Sequence, residues 1–76
     1  MKTKPEKSLN VLFGLNVKKH RLSQKITQAQ LAFESNMPRE QIVRIEKGQV
    51  NISLLKVESI AKALNVPAKV LFEFDA

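Results

Sequence analysis

Thr27-Gln28-Ala29-Gln30-Leu31-Ala32-Phe33-Glu34-Ser35-Asn36-Met37-Pro38-Arg39-Glu40-Gln41-Ile42-Val43-Arg44-Ile45-Glu46-Lys47-Gly48 is the stretch on which the fold turns. Thr27 has the chemistry of a helix cap, and Gln30 stands three residues on, where it can return a capping-box bond. Asn36 ends that first segment, because asparagine is one of the few non-glycine residues that tolerates the left-handed turn closing a helix. Pro38 then opens a second helix at its first position, and Gly48 stops it after about Lys47. Helix, three-residue turn, helix is the outline of a helix-turn-helix. With about 100° per residue, Ile42 and Ile45 point one way along the second helix. Arg39, Glu40, Val43, Arg44 and Lys47 gather on the other side.

Upstream of this motif the chain reads as one more helix. Ser8 can cap it, and Leu9, Phe13, Val17 and His20 recur at steps of four and three, which places them on one face through about Gln24. Gly14 costs such a helix roughly 1 kcal/mol relative to alanine, so its presence points to close packing or a weak first turn. Residues 1–7 are polar and carry four charges, as a flexible basic arm would. Downstream, Ser53 caps a helix with the inward stripe Leu54, Val57, Ile60/Ala61 and Leu64, and Asn65 ends it. Pro67 opens a short fifth helix through Phe72 or Phe74. No segment alternates with period two, so the fold class is all-α.

With 76 residues, a single core gives little net stability, and helper devices are common. The chain has no cysteine and one histidine, so neither a disulfide nor a zinc site is available. Oligomerisation remains. The net charge of +6 sits entirely in residues 1–25, where seven Lys/Arg face Glu6 alone, while residues 26–76 carry six of each sign. A basic end on a neutral domain favours a polyanion such as nucleic acid. A basic helix on an acidic membrane has the same charge, but the apolar face of this one is needed in the core. The longest apolar stretch, Val11 to Leu15, is far short of the roughly 20 residues that cross a bilayer, and a signal-peptide pattern is absent, so a cytoplasmic location is expected. His20 has no serine or carboxylate in a catalytic arrangement, and two glycines build no phosphate loop, which argues against an enzyme or a cofactor.

Taken together, Thr27 to Ala32, Asn36 to Arg39 and Ile42 to Gly48 resemble the Cro and phage-repressor (Xre-type) helix-turn-helix domains, and Leu64-Asn65-Val66 with Val70-Leu71 fit the same family's later helices. Leu31 to Asn36 and the ending Val70 to Phe74 look most like the controller proteins of restriction-modification systems. The resemblance implies a compact five-helix, lambda-repressor-like DNA-binding domain over residues 8–76, with the motif at about 27–47 and dimerisation helices at about 53–74. It departs from the family at Lys25, where glycine is usual, at Pro38, where a Ser/Thr cap is usual, and at Ile52, which replaces a common proline.

The resemblance also implies roles. The motif's second helix lies in the major groove in such proteins, which makes Arg39, Glu40 and Arg44 the base-reading candidates. Arginine donates two bonds to guanine, and a carboxylate accepts from cytosine. Thr27 and Gln28 open the first motif helix, where N–H groups and the helix dipole favour a phosphate. In the resembled family a glutamine here clamps the DNA backbone, helped by residues matching Lys47, Gln49 and Asn51. Arg21 and Glu46 match positions that pair across the first and third helices, a structural role. Leu55, Val66, Val70, Phe72 and Phe74 exceed what one small core can bury and are expected at a two-fold dimer interface. The expected partners are double-stranded DNA and a second copy of the chain, with neither a membrane nor a small-molecule effector. The expected function is transcriptional regulation at a pseudo-palindromic operator. The alternative is a helix-turn-helix protein-interaction module, such as an antitoxin or bridging factor.

Overall fold

The computed structural model describes residues 8–74, so the basic arm expected at 1–7 lies outside the described residues. Four α-helices follow one another: α1 (Leu9–Ser23), α2 (Gln28–Ser35), α3 (Arg39–Glu46) and α4 (Leu54–Leu64). A short 3-10 helix (Ala68–Phe72) closes the chain. The sequence predicted a short fifth helix in that place, through Phe72 or Phe74. The bonds observed are one residue tighter, Val70 N–H to the Pro67 carbonyl and Glu73 N–H to the Val70 carbonyl, because five residues give too few bonds to repay a full α-helical nucleus. No strand occurs among the described residues, and no helix there is long and apolar enough to cross a membrane.

Three of the four α-helices start as their sequence suggests, with the hydroxyls of Ser8, Thr27 and Ser53 accepting from the backbone N–H three residues on. The predicted reciprocal half of the α2 capping box is not formed. Gln30 turns along the helix instead and donates to Glu34. Pro38 is the cap of α3, one residue before its predicted place, and provides no side-chain bond.

All four helices stop in the same way. A residue with positive φ, namely Lys25, Asn36, Gly48 and Asn65 in turn, reverses the chain. The following N–H groups of Ile26, Met37, Gln49 and Val66 then reach back to the carbonyls of Arg21, Ala32, Arg44 and Ala61. These are 6→1 bonds that satisfy carbonyls the helix would leave bare.

The core is one cluster of Phe13, Val17, Leu31, Ala32, Ile42, Ile45, Val57, Ile60, Ala61, Leu64 and Leu71, with Ile26, Met37, Val50, Ile52 and Val66 packed partly against it. Helix α3 lies across α1 and α2, while α4 packs on α2, and the 3-10 helix covers α1 and α4. The predicted stripes hold at Phe13 and Val17 and from Val57 to Leu64, but fail at their first residues. Leu9 is 58% and Leu54 83% exposed. Each is the first residue of its helix, beyond the part that the neighbouring elements cover. Gly14 is buried where α1 crosses the end of α3, and a Cβ there would run into the carbonyl oxygen of Ile45. Close packing is therefore the reason for this glycine.

Candidate nucleic-acid interface

Burying Ile42 and Ile45 fixes how α3 is rotated. Its other face then carries Arg39, Glu40 and Arg44, all exposed, which line a single shallow concavity with Val43, Lys47 and Gln49. The structure thus brings the three predicted base readers together and sets two of the predicted phosphate binders beside them. Glu40 lies in the first turn, where the helix dipole favours a carboxylate, and Arg44 in the last, where it favours a cation.

A second concavity opens at the start of α2. Thr27, Gln28 and Ala29 line it with Arg21, Leu22, Lys25, Ile26 and Arg39, so Arg39 stands between the two hollows. Asn51 lies elsewhere: its side-chain oxygen accepts from the Asn10 amide at 2.9 Å, which ties the loop after α3 to the start of α1.

Behind these hollows is the Arg21–Glu46 pair. Arg21 Nε donates to Glu46 Oε2 at 2.7 Å and Nη2 to Oε1 at 3.1 Å, a two-pronged contact between side chains only 9% and 3% exposed. The remaining guanidinium arm, Nη1, donates to the Ile26 carbonyl at 2.9 Å. A charge pair so deeply placed is tolerable because its fork geometry and the extra carbonyl satisfy the groups that burial strips of water. The link that sequence reasoning missed is the bond from Gln28 Nε2 to Glu46 Oε1 at 3.0 Å. Its two ends are 18 residues apart on different helices, and no local pattern encodes such a meeting.

The residues expected at a dimer interface divide. Leu55 is 73% exposed and lines a mostly apolar hollow with Leu54, Val57, Glu58 and Ala68. Phe72 is exposed, stacked at 5.0 Å on buried Phe13 and set edge-on to half-buried Phe74 at 6.4 Å. Val66 and Val70 are half-buried, and Val66 packs partly against the core. Leu54, placed in the core stripe by its sequence period, belongs with this outer group.

Four helices around a buried α3 flank, with a polar α3 face turned outward, define a helix-turn-helix protein. The family described as helix-turn-helix matches residues 17–71, and the chain belongs to it. Its particular kin are control proteins. The chain is 43% identical over 68 residues to the control protein C.BamHI of Bacillus amyloliquefaciens, covering 88% of this chain and 84% of that one. The crystal structure of the restriction-modification controller protein C.AhdI from Aeromonas hydrophila is similar at a TM-score of 0.81 and 34% identity, over 82% of this chain and 94% of that one. The controller protein C.Esp1396I, bound to a 25 base pair operator site, is similar at a TM-score of 0.79 and 36% identity, over 88% of each chain. The protein is a DNA-binding helix-turn-helix transcriptional regulator of the restriction-modification controller type.

Proposed function

We propose that the protein acts as a homodimer that reads a pseudo-palindromic operator in double-stranded DNA, inserting α3 into the major groove of each half-site. The observation that carries this reading is the polar face of α3, where Arg39, Glu40 and Arg44 are exposed side by side while Ile42 and Ile45 are sealed in the core. Arg39 and Arg44 have the donor forks that match guanine, and Glu40 is the acceptor that matches the cytosine amine. Lys47 and Gln49 flank that face, Thr27 and Gln28 line the adjoining hollow with Arg39, and with Asn51 in the loop beyond these are the residues we read as contacting the DNA backbone. The related C.Esp1396I, bound to its operator, supports the same mode of use.

A second copy would bring a second α3, and exposed Leu54, Leu55 and Phe72, together with half-buried Val66, Val70 and Phe74, are the apolar residues it would cover. The site of action is the cytoplasm, where the DNA is, and occupancy is set by protein concentration and dimerisation. The test is substitution of the base readers. Arg39→Ala and Arg44→Ala should each cost roughly 1–3 kcal/mol on a duplex selected by the wild-type protein and relax preference at one base pair. A protein-interaction module would instead bind selected and shuffled duplexes alike, and both variants would leave that binding unchanged.

A further inference from the structure

Gln28 has an amide of two N–H groups and one carbonyl oxygen, and among the described residues one of those three is engaged, the N–H donated to Glu46 Oε1. A carboxylate accepts and cannot donate, so Glu46 leaves the amide no choice of flip: nitrogen faces Glu46, and the second N–H must point away from it. Glu46 itself cannot turn, because Arg21 holds both of its oxygens and is held in turn by the Ile26 carbonyl. Gln28 is half-buried and lines the hollow shared with Lys25, Thr27 and Arg39.

We infer that Glu46 is a positioning residue for DNA binding: through its bond to Gln28 it fixes the side-chain amide with the free N–H presented to a DNA phosphate. This rests on the reading of Gln28 as a backbone clamp. Without the carboxylate the amide could invert and offer its oxygen, which repels a phosphate. The network joins α1, the turn at Ile26, the start of α2 and the end of α3, so the clamp and the recognition helix share one anchor.

The test is a double-mutant cycle in the full chain, with affinities measured on a duplex enriched by the wild-type protein from a random pool and on a shuffled control. Gln28→Ala should weaken both duplexes by roughly tenfold, since a bond to a charged phosphate is lost and phosphate contacts carry no sequence information. Glu46→Gln should do the same, and adding Gln28→Ala to it should cost less than about twofold. A merely structural Glu46 predicts equal costs for Gln28→Ala in both backgrounds, which would overturn the inference while leaving the clamp intact. If Gln28→Ala binds as well as wild type, or no duplex is enriched, the clamp or the DNA reading fails and this inference with it. Should Glu46→Gln not fold, the wild-type protein still decides. Its two Gln28 side-chain amide protons should give separate NMR signals, of which one moves on addition of DNA and the Glu46-bound one does not. Equal movement of both would overturn it.

Discussion

Lys25 holds a backbone conformation, φ near 59°, that glycine adopts freely and other residues reach at a cost of about 1 kcal/mol or more. It also lines the hollow that holds Thr27, Gln28 and Arg39. Lys25→Gly should therefore raise stability by about 1 kcal/mol in chemical melts while reducing the salt slope of DNA binding by about 0.9 for each bound copy of the chain. A stability gain without any change in slope would mean that this lysine never reaches a phosphate. At Glu46 the expectation runs the other way. Glu46→Ala strands the Arg21 guanidinium in a site 9% exposed and should cost about 3 kcal/mol, whereas replacing both residues by apolar ones of similar volume should cost less. Thermal melts of the two variants check the order. An unchanged Glu46→Ala melt would be incompatible with a buried pair.

Helix α1 takes its place from Gly14, whose lack of a side chain lets α1 lie against the Ile45 and Glu46 carbonyls at the end of α3. Propensity alone makes Gly14→Ala stabilising by about 1 kcal/mol. The added methyl would stand 3.0 Å from Glu46 O and closer still to Ile45 O, so packing should win, and the variant should be destabilised by about 2 kcal/mol in urea unfolding. A gain would show that the helices separate easily. Much of this element layout was legible in the sequence. The caps Ser8, Thr27 and Ser53 and the stops Asn36, Gly48 and Asn65 act through neighbours within a few residues, and the Ile42/Ile45 spacing fixed which face of α3 stays outside. Periodicity misplaced Leu9 and Leu54 because it describes a face and not where along the helix that face stops being covered. The Gln28–Glu46 contact and the separation of Asn51 from the α3 hollow arise from tertiary placement, which no short window contains.

For the whole molecule, the exposed Leu54 and Leu55 and the outer ring of Phe72 are the surface on which a two-fold partner would sit. At micromolar concentration the protein should sediment as two chains, and Leu55→Glu should shift it toward one, because a carboxylate is costly to bury in an apolar contact. Footprinting should show two half-sites about 34 Å apart for the wild type. A strict monomer protecting one unrepeated half-site would overturn the dimer and leave DNA binding in place. Asn16, in the middle of α1, ties this surface to the start of the chain: its buried amide donates to the carbonyls of Leu71 and Glu73, both at 3.0 Å. Glu73 follows Asn16 by 57 residues, which at ordinary rates of translation is roughly 3–11 s. Until then a growing chain on the ribosome has neither the strap that Asn16 holds nor Phe72 over Phe13. Pairing of two copies through this surface, as proposed above, would therefore wait until both had been made through residue 73.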